Sequence, residues 1–414
     1  MKIIHTSDWH LGRTFHGTDL SAAYAAWCDF LVGYVRREEI DAVLICGDVF
    51  DRGIPPLPAV RLLSDTLSKL LETTQVVCIS GNHDAPGRLS FGSSFMISQM
   101  HFRTDPAQCA DPCVLRRKNG DIGALVYGIP YLDPDLVRQN IQHEAQADAP
   151  QARPLPARSH EAVMKAALQN IRSDMTAGKY ADLDVPRIVM AHTFVTGGVG
   201  SDSEADITVG GVNCVPSSLF RLKRGGRLIP DYIALGHLHG PQSVGMAGDP
   251  PMRYSGSPIA LSFSEENQKK SFVRIDFPHS SPTGADAEEF RTPKISLVPV
   301  PQLRRLTSIH GTLAEITDGR YSSASDDFVR ITVTDPVRPE NLRLQLKKYF
   351  PYLSELKFAG AGAGEKMNRA RGIKQTPLET LTDFFTIARD RPLTGEETDL
   401  LRETWEELRK GGTQ

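Results

Sequence analysis

The chain has 414 residues, enough for two or three domains around at least one large core. Hydrophobic residues make up 40% and charged residues 23%, proportions typical of a globular protein, and they exclude a disordered or fibrous chain. Its 47 basic and 50 acidic residues give a formal net charge of −3, which excludes a strongly basic nucleic-acid binder. Bound cations and local basic clusters can still supply a positive field.

The N-terminal segment lacks the apolar stretch of a signal peptide, and no run of the sequence is long enough to span a membrane. We therefore predict a cytoplasmic protein with no membrane partner. The six cysteines fit that compartment, and no second Cys/His pair at zinc spacing accompanies Cys109 and Cys113. Cys109 and Cys113 are predicted to be free thiols.

From residue 1 to about 275, short apolar runs alternate with helical or loop segments. The runs are rich in Val, Ile and Leu without strict alternation, which is typical of strands buried on both faces. A helix is predicted at Pro58–Glu72, where leucines recur at helical spacing, and another at Glu161–Asp174. The predicted strands are Ile3–Thr6, Ala42–Cys46, Val76–Ser80, Ala124–Pro130, Ile188–Ala191 and Tyr232–Gly236. This order predicts a layered α/β architecture.

Two polar stretches interrupt this pattern. Residues 140–160 are predicted to form an exposed excursion, and Pro278–Asp286 a domain boundary. A small α+β domain is predicted beyond it, with strands at Ile295–Val300 and Phe328–Val333 and a helix at Pro339–Tyr349.

The C-terminal part begins with a flexible linker, Ala359–Gly364. Two helices are predicted in the tail over 376–409. The second of them begins after Thr394, which acts as N-cap with Glu397 three residues later.

Metal-binding types of side chain follow nearly every early apolar run. These are Asp8 and His10, Asp48, the group Asn82, His83 and Asp84, then His192, and finally His237 and His239. Loops after the carboxyl ends of parallel strands meet in one crevice, so five loops would deliver these side chains to one place. Taken singly, each motif is more often a turn or a cap. Taken together, they predict a metal site, and the mixed carboxylate, imidazole and amide donors suit Mn²⁺, Fe²⁺ or Zn²⁺.

In this order the motifs resemble the calcineurin-like metallophosphoesterase superfamily, whose signature runs D-x-H, G-D-x-x-D, G-N-H-D/E, H and G-H-x-H. More narrowly, the chain resembles the bacterial SbcD family of double-strand-break repair nucleases. This resemblance is carried by SDWHLG at 7–12, GDVFDRG at 47–53, GNHD at 81–84, YIALGHLH at 232–239 and YSGSPIALSF at 254–263. Archaeal and eukaryotic repair nucleases carry His where Asp51 stands, which favours the bacterial branch.

The resemblance implies a calcineurin-like layered β-sandwich flanked by helices, with a smaller C-terminal α+β capping domain and a helical tail. It implies a nuclease domain at 1–277, a capping domain at 290–358, and a linker with a partner-binding tail at 359–414.

It also implies two divalent metal ions, with Mn²⁺ preferred, about 3.5–4 Å apart. Asp8, His10, Asp48 and His239 would hold one ion, and Asn82, His192 and His237 the other, with Asp48 bridging both. His83 would act on the phosphate as a catalytic residue, and Asp84 would fix its tautomer. The alternative for Asp84 is a residue that only forms a turn.

The chain has no G-x-x-x-x-G-K-[ST] motif, so we predict that it binds no nucleotide through a P-loop. The resemblance implies a separate SbcC-type coiled-coil ATPase that docks on the C-terminal helices, which could instead pack on the small domain. DNA would be the substrate.

A homodimer within a heterotetramer would form through the helix Pro58–Glu72 and the segment around Phe91–Met100. The alternative is that this helix simply packs on the sheet.

The implied activity is metal-dependent exonuclease action on duplex DNA and endonuclease action on single strands, in repair, recombination and replication. One alternative is another enzyme of the superfamily, a phosphatase or a cyclic-nucleotide phosphodiesterase. GDVFDRG is similar to the protein-phosphatase pattern, but GNHD and the extra C-terminal domain argue against it. Another alternative is a non-catalytic scaffold of the same fold, which the intact set of ligands makes less attractive.

Overall fold

The structure is a computed structural model, and it describes residues 1–95, 98–139, 141, 155–204, 214–224, 226–278, 292–359, 393–398 and 400. In chain order its strands are β1 (Lys2–Thr6), β2 (Thr14–Phe15), β3 (Thr18–Asp19), β4 (Ala42–Cys46), β5 (Gln75–Ile79), β6 (Met100–Arg103), β7 (Cys113–Arg116), β8 (Ile122–Ile129), β9 (Arg187–His192), β10 (Phe194–Val195), β11 (Cys214–Val215), β12 (Lys223–Arg224), β13 (Arg227–Leu228), β14 (Tyr232–Gly236), β15 (Gln242–Val244), β16 (Met252–Tyr254), β17 (Ser271–Asp276), β18 (Lys294–Pro299), β19 (Leu306–Gly311), β20 (Phe328–Val333) and β21 (Leu353–Phe358).

The helices are α1 (Ser21–Glu38), α2 (Leu57–Leu71), α3 (Pro86–Leu89), α4 (Pro134–Val137) and α5 (His160–Ala177), followed by two short helices, Leu313–Thr317 and Leu342–Lys347. All six predicted early strands and both predicted early helices are therefore confirmed, with ends that differ from the predicted ones by at most three residues.

Two six-stranded sheets form the large domain. The first has the order β18-β17-β1-β4-β5-β6, and the second has the order β15-β16-β14-β9-β8-β7. The central strands of each sheet are parallel. Antiparallel strands close both edges of the second sheet and the β18 edge of the first, whereas β6 at the other edge of the first sheet pairs parallel with β5. The early strands thus divide between two sheets, three in each. This arrangement confirms the predicted layered β-sandwich.

Both faces of each sheet are buried, which explains the near-continuous apolar runs. Successive side chains of a strand point to opposite faces. In β1, Ile3 joins the core between the sheets, whereas Ile4 joins the core under α1 and α2. In β9, Met190 faces the other sheet and Val189 faces the core under α5. The layers are therefore helix, sheet, sheet and helix.

The small domain is a three-stranded parallel sheet, β19-β20-β21, with its own core of buried residues such as Ile331 and Leu346. It contacts the large domain through aromatic rings: the ring centroids of Phe328 in the small domain and Phe15 in the large domain lie 5.1 Å apart. The predicted strand Phe328–Val333 is confirmed, and the predicted helix 339–349 contains Leu342–Lys347.

Strand β18 departs from the expected arrangement of the small domain. It pairs along its whole length with β17, so this part of the predicted 290–358 unit extends the first large sheet. Three of the six residues of β18 are half-buried and three are exposed, as expected of an edge strand. The sheet of the small domain begins only at Leu306.

Several predicted features lie wholly or largely outside the described residues: the 140–160 excursion, the polar boundary at Pro278–Asp286, the linker Ala359–Gly364 and most of the helical tail over 376–409. At the described turn 394–398 the predicted cap is confirmed. The hydroxyl of Thr394 accepts from the amide of Glu397 at 3.3 Å, and the carboxylate of Glu397 accepts from the amide of Thr394 at 2.9 Å.

Candidate active site

Five loops bring the predicted ligands to one end of the sandwich. The first sheet contributes Asp8 and His10 after β1, Asp48 after β4 and Asn82 after β5. The second sheet contributes His192, the last residue of β9, and His237 and His239 after β14. Asp8, His10, Asp48, His192, His237 and His239 are each at most 3% exposed, and Asn82 is half-buried. The sequence-predicted set is therefore one contiguous cluster.

The backbone is strained where it presents these groups. Asp8, His10 and Asp48 have φ of 55°, 47° and 49°, and His237 has φ of 112°. Left-handed backbone is uncommon for residues other than glycine and costs of order 1–3 kcal/mol at each position. Four of the seven predicted ligands share it, a concentration typical of functional sites.

Glycine is required beside Asp48. A side chain at Gly81 would overlap the carboxylate of Asp48 and its backbone nitrogen. The glycine of the G-N-H-D motif therefore leaves the space in which the central carboxylate lies.

Asp48 lies between the two halves of the cluster. One of its oxygens, Oδ2, is 3.6 Å from Nε2 of His10 and 3.5 Å from Nε2 of His192. The other, Oδ1, accepts a hydrogen bond from the backbone amide of His83 at 2.9 Å. One carboxylate thus faces an imidazole on each side, as a bridging ligand must.

One half of the cluster is centred on Asn82. Its side-chain oxygen is 3.0 Å from Nε2 of His192 and 3.2 Å from Nδ1 of His237. Nδ1 of His192 donates to the carbonyl of Cys46 at 2.8 Å, because a carbonyl can only accept. This bond turns Nε2 of His192 towards Asp48 and Asn82.

The other half contains Asp8, His10 and His239. The Nε2 atoms of His10 and His239 face each other at 3.1 Å. Ligand atoms of Asp8, His10 and His239 all lie within 4.8 Å of one another. Asp8 also accepts from the amide of His237 at 3.0 Å, which joins the two sheets at the site.

Burial, and the attraction between carboxylates and imidazoles, shift the pKa values of the groups in this cluster. Burial raises the pKa of Asp8 to about 6, and the neighbouring Asp48 adds to the shift. Burial also disfavours a charged Asp48, but the imidazoles of His192 and His10 outweigh it and lower the pKa of Asp48 well below its usual range. Despite burial, Asp48 raises the pKa of His192 to about 9. Burial lowers the pKa of His237 to about 3. A buried anion therefore occupies the centre of the cluster.

The environment of His83 corrects one prediction. Nδ1 of His83 donates to the backbone carbonyl of Asp51 at 2.8 Å, so that carbonyl fixes the tautomer and not Asp84. The carboxylate of Asp84 instead accepts from the amides of Phe50 and Gly81, both at 2.9 Å, and from Val49 at 3.2 Å. The predicted pairing of Asp84 with His83 is wrong, because backbone amides occupy the carboxylate. Asp84 ties the loop after β4 to the loop after β5.

Asp51, for which the sequence indicated no role, lies at the rim of the site. Its Oδ1 is 3.6 Å from Nδ1 of His10 and 3.6 Å from the guanidinium of Arg13. Asp51 therefore flanks His10 on the side away from His239.

These residues fit two divalent cations. Carboxylate, imidazole and amide donors suit Mn²⁺, Fe²⁺ or Zn²⁺. Opposed Nε2 atoms such as those of His10 and His239 are what two ligands of one cation present. Divalent cations would also neutralise Asp8 and Asp48, two carboxylates buried close together.

Sequence reasoning missed a polar group behind His239, formed by the half-buried Ser203 and the buried Glu204, Glu265 and Lys270. The hydroxyl of Ser203 is 2.7 Å from Nδ1 of His239, and Nζ of Lys270 donates to the backbone carbonyl of His239 at 2.9 Å. No apolar run leads into these residues. The only signal was that Glu265 and Lys270 closely follow YSGSPIALSF.

Comparisons with known proteins agree with this geometry. The family model described as calcineurin-like phosphoesterase matches residues 1–241. The chain is 26% identical over 406 residues to the D subunit of the SbcCD nuclease of Staphylococcus epidermidis, and the match covers 97% of each chain.

Two solved structures are similar at lower levels. The protein TT1561 of Thermus thermophilus is 14% identical with a TM-score of 0.36, covering 72% of this chain and 99% of that one. GAP50, described as the anchor in the inner membrane complex of Plasmodium, is 14% identical with a TM-score of 0.38. The match covers 66% of this chain and 80% of GAP50. Among the described residues, no helix combines the length and the apolar character needed to cross a membrane.

Proposed function

Because the chain belongs to the calcineurin-like phosphoesterase family, we propose that it is the metal-dependent nuclease subunit of an ATP-dependent SbcCD-type complex. It would act as exonuclease on duplex DNA and endonuclease on single strands, processing ends and hairpins in repair, recombination and replication. The observation that supports this most is the position of Asp48 between two groups of ligands. The similarity to an SbcCD nuclease subunit over 97% of both chains supports the substrate class.

Two divalent cations, with Mn²⁺ preferred, would stabilise charge on the phosphodiester and lower the pKa of water at the site. Asp8, His10, Asp48 and His239 would hold one, and Asn82, His192 and His237 the other, with Asp48 shared. His192 would lose the proton that Asp48 stabilises in the metal-free chain, since a ligating imidazole must be neutral.

His83 would act on the substrate. Its Nδ1 is committed to the carbonyl of Asp51, so Nε2 is the atom left for the phosphate or the leaving oxygen. Its side chain is only half-buried, unlike those of the six buried ligands, which gives a substrate access to it. Asp84 would hold the loop that carries His83 and is not itself a catalytic residue.

Two assemblies belong to this proposal. A homodimer would form through α2 and the segment around Phe91, where an apolar groove of about 830 Å³ is lined by Ile54, Leu63, Leu67 and Phe91. Ile54 and Phe91 are 71% and 77% exposed.

The second assembly is with an SbcC-type coiled-coil ATPase, which would bind the C-terminal helices and supply ATP dependence. A cytoplasmic location remains a prediction.

The test compares three substrates: linear duplex DNA, a phosphopeptide and a cyclic nucleotide, each with Mn²⁺ and the purified protein. Cleavage of DNA alone supports the proposal. Preference for either of the other substrates would indicate a different phosphoesterase, and no hydrolysis of any substrate would indicate a scaffold.

The matched variant for this test is Asp48→Asn. It keeps the shape of the side chain but removes the negative charge facing both groups of ligands, so DNA cleavage should be abolished and bound metal reduced while the fold persists. Metal content, circular dichroism and activity are measured on the same preparation. Full activity with normal metal stoichiometry would contradict the assignment.

A further inference from the structure

Behind His239, on the side away from the proposed metals, lies a buried chain of polar groups. Glu265 is 1% exposed, Lys270 3% and Glu204 4%, so three ionisable side chains are removed from water together. Charged residues of these types are rarely buried unless they are paired. Glu265 lies in the turn after Leu261, Lys270 precedes β17 and Glu204 lies in the loop after β10.

Lys270 and Glu265 form a buried ion pair within this group. Nζ of Lys270 donates to Oε2 of Glu265 at 2.5 Å and also contacts the carbonyl of His239 at 2.9 Å, Gln268 at 2.9 Å and Ser257 at 3.0 Å. The ammonium is therefore surrounded by acceptors, as a buried cation requires. Glu265 is thereby held as a carboxylate, and its second oxygen, Oε1, accepts from the hydroxyls of Ser203 at 2.7 Å and Ser262 at 3.0 Å.

That second oxygen fixes the direction of a hydrogen-bond relay. The hydroxyl of Ser203 donates to Oε1 of Glu265 at 2.7 Å, because a carboxylate can only accept. Since its proton is used, the hydroxyl oxygen can only accept from Nδ1 of His239, 2.7 Å away. Nδ1 therefore carries the proton, and Nε2 presents its lone pair towards His10 and Asp8.

Glu204 completes the support. Its carboxylate accepts from the backbone amides of His239 and Ser201. The backbone nitrogen, the backbone carbonyl and the ring nitrogen of His239 are thus each bonded to this group. None of these partners belongs to the G-H-x-H motif.

We propose that Ser203, Glu265 and Lys270 are positioning residues that lock His239 in its Nδ1–H tautomer and thereby set the affinity of one of the two metal sites. This inference rests on the proposed function. Partners behind a ligating histidine typically account for about 10–100-fold in metal affinity. They would act through His239, which is not one of the three ligands Asn82, His192 and His237 of the other site.

The experiment uses the full chain, stripped with EDTA, and two readouts. Mn²⁺ titration calorimetry gives the two affinities. Long-range ¹H–¹⁵N correlation of histidine-labelled, metal-free protein gives the tautomer of His239, assigned by comparison with His239→Gln. Ser203→Ala should weaken one Mn²⁺ site by about 10–100-fold and populate both tautomers. Ser203→Thr, which keeps the hydroxyl, should restore both readouts.

A second variant protects the test from misfolding, because removing Lys270 alone would leave a buried, unpaired carboxylate. Glu265→Leu/Lys270→Met replaces the pair with apolar side chains. Ser203 then loses the carboxylate that fixes the direction of its hydroxyl, which can donate either to Nδ1 of His239 or to Ser201 Oγ at 2.7 Å. The Nδ1–H tautomer is no longer enforced, and a mixture of both tautomers is expected in this variant.

The proposal is overturned if Ser203→Ala and the double variant both retain the Nδ1–H tautomer and wild-type Mn²⁺ affinities. If the wild-type protein binds no Mn²⁺, the proposed function fails. The tautomer of the metal-free variants still decides the positioning role in that case.

Discussion

Among the residues of the site, His83 differs in its surroundings from the six buried residues proposed as ligands. Its ring is perpendicular to that of His10, with centroids 4.8 Å apart, yet its Nδ1 is bonded to a backbone carbonyl and its side chain is partly open to solvent. A group that meets the phosphate needs such access, whereas a ligand can be fully buried. The two roles predict different consequences of removing the ring.

His83→Ala should leave the Mn²⁺ content unchanged and lower the turnover rate by about 10²–10⁴-fold, the range of general acid–base roles. Metal analysis and a single-turnover cleavage assay on one preparation test this. His310→Ala, which removes an exposed histidine of the small domain, is the matched control. Loss of metal in place of rate would identify His83 as a ligand.

His5 makes the acid sensitivity of the fold testable. It lies in the interior beneath the site, bonded to Tyr232 at 3.1 Å and to the carbonyl of Leu235 at 3.0 Å. Burial lowers its pKa to about 3 from 6.5, so protonation favours the unfolded chain. This contribution to stability is complete above pH 6.5 and is lost progressively as the pH falls towards 3.

Between pH 7 and pH 5 the loss from His5 should be about 2 kcal/mol. Urea unfolding of metal-free protein at both pH values measures it, and His5→Gln should remove that part of the pH dependence. Equal pH dependence in the two proteins would contradict the assignment to His5.

At the scale of elements, helix α2 has two different faces. Leu63 and Leu70 are buried against the core, whereas Leu57 and Val60 are 58% and 39% exposed, and Ile54 just before the helix is 71% exposed. The outer side continues into the groove with Phe91. Packing on the sheet and association with a second chain are thus both compatible with one helix.

Phe91→Asp should convert a dimer into a monomer at micromolar concentration, because it would place a charge in an apolar interface. Light scattering coupled to size-exclusion chromatography measures the mass. Val337→Asp, at a position 80% exposed on the small domain, serves as control. A monomeric wild-type protein would refute the dimer.

Elements with a strong local signal were predictable. Strands β4 and β14 are apolar throughout because both faces are buried, and the polar residue that follows each strand marked the site. The partner of β18 was not predictable, because a half-buried edge strand has the same pattern in either domain. Glu265 and Lys270 were also missed, since the stretch SEENQKKS is as polar as a solvated loop and only tertiary contacts show their burial.

At the scale of the whole molecule, the tail can be tested apart from catalysis. All the proposed ligands precede residue 240, and the tail lies after the linker. Truncation after about residue 365 should spare Mn²⁺-dependent cleavage of single strands and remove ATP-stimulated degradation of duplex DNA. A pull-down with the ATPase and an exonuclease assay with and without ATP measure both. Full-affinity binding by the truncated chain would place the docking site elsewhere.

The division of the site between two sheets makes catalysis depend on the alignment of the layers. Each proposed ion takes ligands from both: His239 opposes Asp8 and His10, and His192 and His237 oppose Asn82. The spacing between the half-sites is therefore set by the side chains that interdigitate between the sheets, such as Met190 and Tyr232. A substitution that changes the volume of these side chains would shift one sheet relative to the other and so move the ligands apart. Packing between the sheets, far from the substrate, therefore sets the geometry of the metal pair.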